Sequence, residues 1–325
     1  MKTHLQSVQL KTGETMDILR VTAPDEEYRE RILRHLHHKG EPWQVPMEAN
    51  LRADLEGLSQ HFYIGVVGEE MVGNASSVEA LQRPVGILQH VFTPPERRRL
   101  GICSSIIHAY VADFDARGGR AAFLHTGHDS APYHIYRSAG FVGWRDTGTM
   151  ERFPDPAFQE DFWAPCPVAV RDTEWSDWAL LEALFGIVDG WYLRGMYYRQ
   201  WGRCGYEGEY VHGRKELSEG RIVQWKVLQA DNGAVVGHAF IARDRLFRGD
   251  TWLLDLFVHP NYYGDGGLLL AALDLDLDAK VQAWCDSAQP EKTELLKAAG
   301  FALEATLPQQ VKRGDDWLGL SVYGR

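Results

Sequence analysis

Positive charge is in short supply in this chain: 34 Lys and Arg stand against 45 Asp and Glu, a net charge of −11. A general nucleic-acid binder carries a basic surface, so this balance argues against that class. It is compatible with a cationic or neutral small substrate, or with an acidic surface that only solubilises. Cysteine is scarce too. Cys103, Cys166, Cys204 and Cys285 lie far apart with no CxxC spacing, which excludes a disulfide framework and points to free thiols in a reducing cytoplasm. No apolar run is long enough to span a bilayer. The opening MKTHLQSVQL lacks the apolar core of a signal peptide. The expectation is therefore a cytoplasmic protein with no membrane partner. Its 325 residues, 45% hydrophobic and 24% charged, are ordinary for globular chains and sufficient for two cores.

What is present centres on residues 85–110. The run 85–92 is β-rich, and Pro94 and Pro95 end it. From Ile102 onward, Ile102, Ile106, Ile107 and Tyr110 fall on one helical face. Between strand and helix lie Arg97, Arg98, Arg99 and Gly101. A glycine lets backbone approach a ligand closely, and the first helical turn offers unpaired N–H groups with a favourable dipole. Together these features predict a cradle for a diphosphate.

A second motif follows. After a β-like stretch at 121–126 comes Tyr136-Arg137-Ser138-Ala139-Gly140-Phe141. With the turn Arg98-Arg99-Leu100-Gly101-Ile102-Cys103, this resembles the GNAT superfamily of acyl-CoA-dependent N-acyltransferases. Its diphosphate loop reads Arg/Gln-x-x-Gly-x-Gly/Ala and its later motif Tyr-x-x-x-Gly-Phe. Cys103 replaces the last small residue. The resemblance covers residues 15–150. It implies an α/β (α+β) fold: a mixed, mostly antiparallel sheet flanked by helices, whose central parallel strands, 85–92 and 121–126, splay apart. It also implies acetyl-CoA as cosubstrate, with its pantetheine paired to the backbone of Val91 and Phe92. The remaining implied contacts are Thr93, Arg98, Arg99, Leu100, Gly101, Ile102, Cys103 and Ser104. Asp129 stands where many members carry an Asn that touches the pantetheine.

Other elements are read from local pattern. Runs at 5–10 and 16–21 flank a plausible hairpin, helices are expected at 24–39 and 46–58, and strands at 61–67 and 71–80. Residues 141–152 read as one late strand. His35, His37 and His38 close the first helix without a carboxylate or cysteine partner at ligand spacing, so no metal is expected. The proline- and aromatic-rich stretch 153–167 reads as a linker that packs on a surface, not a disordered tether, between a domain at 1–152 and another at 168–325. In the latter, strands at 168–171, 222–228, 234–243, 251–258 and 280–284, with helices at 172–185 and 290–299, repeat the first half's order. The resemblance then implies two tandem GNAT-like domains. Pro260 aligns with Pro95 and Gly266 with Gly101. Tyr263 replaces Arg98, Leu268 replaces Cys103 and Leu296 replaces Tyr136, so the second copy reads as degenerate. The aromatic cluster Trp191, Tyr192, Tyr197, Tyr198 and Trp201 reads as core, or as the lining of a pocket or interface. Asp274, Asp276 and Asp278 read as a solvated acidic surface.

Acyl transfer to an amine requires a proton acceptor for the amine, donors for the oxyanion and a proton for the departing thiolate. The resemblance assigns the oxyanion to the N–H of Val91 or Phe92 and the thiolate's proton to Tyr136. The base stays open between Glu79, His90 and an ordered water. Cys103, in the diphosphate turn, reads as packing rather than as a nucleophile. The expected function is direct transfer of acetyl from acetyl-CoA to a primary amine of a small molecule, by a monomer or homodimer. The alternatives are an acyl-CoA-binding module without chemistry, and a mycothiol-synthase-like tandem enzyme whose second half is the active one. Acceptor contacts are expected from residues 39–56, 186–218 and the linker.

Overall fold

Alternating apolar residues and well-placed caps set the elements of the first half. The computed structural model describes residues 1–53, 55–81, 85–245 and 250–325. Residue 54, within the expected helix 46–58 and the expected acceptor loop 39–56, lies outside the described residues. The chain opens with a hairpin, β1 (Lys2–Gln9) and β2 (Thr15–Thr22), then α1 (Glu26–His35) and α2 (Gln44–Arg52). Asp25 caps α1 by accepting from the Tyr28 N–H, and Glu26 and Glu27 complement the dipole. Strands β3 (Leu58–Val67), β4 (Glu70–Ala80) and β5 (Val85–Phe92) form a meander, followed by α3 (Ile102–Ala116), β6 (Ala121–His125), α4 (Ala131–Ser138), β7 (Val142–Gly143) and β8 (Thr149–Arg152). The expected single strand at 141–152 is two short ones paired through Val142↔Glu151 and Gly143↔Met150.

These strands make one eight-stranded sheet in the order β1-β2-β3-β4-β5-β6-β8-β7. It is antiparallel except for β5 against β6. Both faces are covered. Val21, Tyr28, Ile32, Leu51, Phe62 and Ile64 form a core with α1 and α2. Met16, Tyr63, Val72, Leu88, Ile106, Tyr110, Phe114 and Tyr136 form another with α3 and α4. Each such fully buried side chain stabilises the fold by roughly 1.5–3 kcal/mol. α3 lies close to the sheet because β4 has Gly73 beneath it. A Cβ there would sit 2.6 Å from Ile102 Cγ2.

The chain forms two compact units. The first unit comprises Met1–Phe158 and Glu174–Glu182; the second comprises Gln159–Thr173 and Ala183–Arg325. The stretch 153–167 contains α5 (Phe158–Phe162), with Phe158, Phe162 and Trp163 buried, so it is packed, as expected of it. β9 (Val168–Asp172) belongs to the second unit, while α6 (Asp177–Phe185) begins in the first.

The second unit continues with β10 (Leu193–Gly195), β11 (Gln200–Trp201), α7 (Glu207–Ser218), β12 (Ile222–Ala230), β13 (Val235–Arg243) and β14 (Trp252–Val258). It ends with α8 (Gly266–Ala271), β15 (Val281–Asp286), α9 (Pro290–Ala298) and the long hairpin β16 (Ala302–Arg313) and β17 (Asp316–Gly324). Its seven-stranded sheet runs β16-β17-β15-β14-β13-β12-β9. Again the central pair, β14 and β15, is the parallel one. The two sheets therefore share one plan: a mixed, mostly antiparallel sheet with a central parallel pair. α7, β16 and β17 carry no clear pattern in the sequence and were not anticipated. Trp191 and Tyr197 are buried, as the core reading of that cluster expects, whereas Tyr192, Tyr198 and Trp201 are half-buried.

Several histidines are buried in these cores. Desolvation pushes His90 and His238 down to about 3, and His61 to about 4. His238 Nδ1 accepts from Trp225 Nε1 at 3.2 Å, a bond that its protonated ring could not accept. In the unfolded chain an imidazole takes its proton near pH 6.5, so between there and the folded values the unfolded state binds more protons. Stability from these groups is full above about pH 6.5 and is lost as the pH falls, by up to about 1.4 kcal/mol per pH unit for each histidine. Thermal melting should therefore give a Tm that is flat from about pH 7 to 8 and drops steeply toward about pH 5. A Tm unchanged across that range would contradict the buried-neutral assignment.

Candidate active site

The cleft of the first unit starts where the parallel pair comes apart. β5 and β6 pair only through Val85↔Ala121, Gly86↔Ala122 and Ile87↔Phe123. Past Ile87 the two strands diverge. The cause lies on the other side of β5. Asn74 pairs with Phe92 and Ser76 with Gln89, so three steps on β5 oppose two on β4. This is a β-bulge, which bends its strand and increases twist. His90 sits in it with φ +51, a left-handed conformation that non-glycine residues seldom adopt. Two buried side chains hold the bulge. Asn74 Nδ2 donates to the His90 carbonyl at 2.9 Å, and Ser76 Oγ donates to the Gln89 carbonyl at 3.3 Å.

The resulting cleft holds about 780 Å³ and runs from Leu88–Thr93 on one wall to His125 and Thr126 on the other. Ala131, Pro132, Ile135 and Tyr136 of α4 line it, as do Lys11, Lys39, Arg97, Arg98, Arg99 and the first turn of α3 from Gly101 to Ser104. Gly101 caps α3 with φ +93, a conformation that suits glycine and lets the chain enter the helix with its N–H groups free of side-chain caps. An anion is favoured there by the dipole and by these groups.

Most of the predicted residues meet in this cleft: His90, Val91, Phe92, Thr93, Arg98, Arg99, Gly101, Ile102, Cys103, Ser104 and Tyr136 all line it. Tyr136 is buried, its ring edge-on to Phe141 at 6.3 Å. Cys103 is pushed up to about 11 by burial, so its thiol stays protonated. Four residues of that reading have other surroundings. Glu79 is not in the cleft; Arg117 Nη1 and Nη2 hold its carboxylate at 2.6 and 2.8 Å, and Ser77 Oγ donates to it at 2.6 Å. Leu100 packs against the core beneath α3 instead of lining the cleft. Asp129 is exposed and pairs with His134 at 3.1 Å. Arg97 lines the mouth, but its guanidinium is shared between Glu14 and Glu70, so its charge is already matched. The histidines ending α1 are used in packing: His35 and His38 lie against the Phe92 ring at 5.1 and 4.2 Å.

The motifs did not reveal Lys11, Gln89 or His125. A signal existed for His125, because ligands in open sheets with parallel strands sit beyond the strands' carboxyl ends and His125 ends β6. Glu182 gave none. It is fully buried on α6, with Oε1 2.9 Å from His125 Nε2, yet lies 57 residues further along the chain.

Known proteins offer only a distant likeness. No family model matches the chain, and no curated protein matches it. Among solved structures, an N-acetyltransferase from Staphylococcus aureus is 17% identical over 49% of this chain and 98% of its own, with TM-score 0.41. A GNAT superfamily phosphinothricin acetyltransferase from Sinorhizobium meliloti, in complex with AcCoA, is 19% identical over 49% and 87%, with TM-score 0.40. A ribosomal-protein-alanine N-acetyltransferase from Brucella melitensis is 20% identical over 48% and 98%, with TM-score 0.41. Likeness at this level fixes neither activity nor substrate.

The second unit has the corresponding divergence, but its own chain fills it. β14 and β15 pair only through Trp252↔Val281, Leu253↔Gln282 and Leu254↔Ala283. β10 packs against both strands beyond that point. The Leu193 N–H donates to Asp286 Oδ2 at 2.8 Å, and Gln289 Nε2 donates to the Leu193 carbonyl at 3.0 Å. On the other strand, Asp255 accepts from the Met196 and Tyr197 N–H groups, both at 2.8 Å. Arg194 is buried and donates to the carbonyls of Phe185, Ile187 and Asp189. Tyr263 stacks on Trp191 at 4.9 Å.

Proposed function

We propose that this protein is an acetyl-CoA-dependent N-acetyltransferase that acylates a primary amine of a small molecule by direct transfer, with the first unit as its active half. The observation that carries this reading is the cleft itself. It begins at unpaired strand backbone on β5, passes Tyr136 and ends at the arginine-rich mouth of α3. A pantetheine arm hydrogen-bonds to exposed strand backbone as an added strand does, while the diphosphate suits a helix N-terminus with Arg98 and Arg99 beside it. The residues present fit the cosubstrate's three chemical parts: an anionic end, an amide-bearing arm and a thioester.

In the reaction, the amine nitrogen attacks the thioester carbonyl and the C–S bond breaks. A backbone N–H of Val91 or Phe92 steadies the oxyanion, and Tyr136 gives its proton to the leaving thiolate. The second unit is read as a degenerate copy that acts as a buttress. Tyr263 and Leu296 stand where the first unit has Arg98 and Tyr136, and β10 fills its divergence. A catalytic second half, as in a mycothiol-synthase-like arrangement, would need β10 expelled.

Tyr136→Phe removes the proton and keeps the ring. It should lower kcat about 10²- to 10⁴-fold with acetyl-CoA affinity unchanged, measured by thiol release and by calorimetry. Wild-type kcat in the variant would assign the thiolate's proton to a different acid.

A further inference from the structure

His125 is the last residue of β6 and lines the cleft with its side chain 31% exposed. Its Nε2 faces the fully buried Glu182 at 2.9 Å, and its Nδ1 lies 3.1 Å from Thr149 Oγ1 on β8. A buried carboxylate is costly unless it is paired and hydrogen-bonded. Glu182 meets that need by accepting the Nε2–H, which fixes the tautomer and leaves Nδ1 as a proton acceptor. The Thr149 hydroxyl can rotate to donate to Nδ1 or to accept from an incoming group. Gln89, across the cleft on β5, is 5% exposed. Both atoms of its amide are buried without a hydrogen-bond partner among the described residues, so a polar ligand would satisfy a group the fold leaves unmatched.

The neighbouring ionisable groups are assigned elsewhere or weakly basic. His90 on β5 lines the same cleft but is pushed down to about 3 by burial, with Lys39 and His38 adding to the effect. Asp177 on α6 accepts from the Glu174 N–H at 2.9 Å. Glu151 on β8 pairs in register with Phe123, two residues from Thr149. Lys39 also lines the cleft. Trp43 is edge-on to His90 at 5.7 Å and stacked with Trp178 of α6 at 6.4 Å.

We propose that His125 takes the proton of the acceptor amine, that Glu182 positions its ring and steadies the imidazolium, and that Gln89 hydrogen-bonds the same acceptor. This rests on the acyl-transfer reading above. The C–N bond forms as the amine attacks, and the amine's proton passes to His125 Nδ1, directly or through Thr149. The C–S bond then breaks, Tyr136 protonates the thiolate, and solvent returns the His125 proton to the Tyr136 phenolate. The sum is amine plus thioester to amide plus thiol. The acceptor is an amine bearing a neighbouring hydrogen-bonding group.

The test uses the full chain with acetyl-CoA and four probe amines: ethanolamine, benzylamine, putrescine and lysine. Thiol release and acetyl-CoA affinity are measured for wild type, H125N, E182Q and E182D. The expectation is that H125N lowers kcat about 10²- to 10⁴-fold while calorimetry finds its acetyl-CoA affinity unchanged. E182Q should move the acid limb of kcat/KM about one pH unit lower, because an imidazolium without its carboxylate loses its proton more readily, and E182D should restore part of the shift. The His125 ring resonance, titrated by NMR in wild type and E182Q, should move in the same direction. Wild-type turnover in H125N, or an acid limb and ring titration unmoved in E182Q, overturns the assignment and leaves the acetyltransferase reading standing. No thiol release by wild type with any probe removes that reading, and this one with it.

Discussion

Reversing the charge at Arg98 should weaken acetyl-CoA binding about a hundredfold, a loss of about 2.7 kcal/mol, from one site per chain in the unaltered protein. The size follows from how the mouth of the cleft is charged. Arg97 is committed to Glu14 and Glu70. Arg98 is tied differently: its Nε donates to the Thr93 carbonyl at 3.1 Å, which leaves the terminal nitrogens of an exposed guanidinium at the mouth. A hydrogen bond to a charged group is worth about 1.5–3 kcal/mol, and a glutamate there would also repel a diphosphate. Calorimetric titration of wild type and Arg98→Glu reads both the affinity and the stoichiometry. A second site, or affinity retained in the variant, would transfer coenzyme binding to the second unit and require β10 to leave its place.

Removing the Glu79 carboxylate is expected to unfold rather than to slow. Glu79 is 7% exposed, and its partner Arg117 also bonds Asp113 at 2.8 Å and Tyr63 Oη at 2.9 Å. Asp113 in turn accepts from Arg20 at 2.6 Å and from Tyr63 Oη at 2.8 Å. Breaking a buried pair by deleting one member costs about 3–5 kcal/mol, because the other charge is left buried without compensation. Glu79→Ala should therefore lower Tm by roughly 10 °C, at about 2–4 °C per kcal/mol. Glu79→Met with Arg117→Met should lose less than the sum of the two single changes, since they share one interaction. At a temperature where the variant remains folded, its kcat should equal that of wild type. A kcat reduced with Tm unchanged would return Glu79 to the role of base.

The sequence made the order of many elements legible, because those were locally self-consistent, as α7, β16 and β17 were not. The apolar spacing of Ile102, Ile106, Ile107 and Tyr110 is helical, and Pro94 with Gly101 marks the turn before them. The same reasoning suggested a repeat, since Pro260 and Gly266 punctuate the second half as Pro95 and Gly101 do the first, and each sheet does carry a central parallel pair. The bulge was hidden because its positive φ falls on His90, not on a glycine, and is held by the distant side chains of Asn74 and Ser76. Glu79 misled because a carboxylate on the strand next to the cleft looks like a base until Arg117 is seen against it. Glu182 was out of reach for a different reason. No local pattern links His125 to a residue on a later helix, and the segment Glu174–Glu182 joins the first unit although the chain before it, from Gln159 to Thr173, belongs to the second.

The occupant of the second cleft has a thermodynamic consequence. A diffusing ligand stabilises its host by an amount that grows with concentration, about 2.7 kcal/mol at a hundred times its Kd. β10 is a covalent part of the chain, so mass action does not apply to it. The hydrogen bonds to Asp286, Gln289 and Asp255 persist at any dilution and in any cofactor supply. If the first unit binds acetyl-CoA as proposed, its stability should rise with the coenzyme supply, whereas what β10 contributes to the second unit should not change with it.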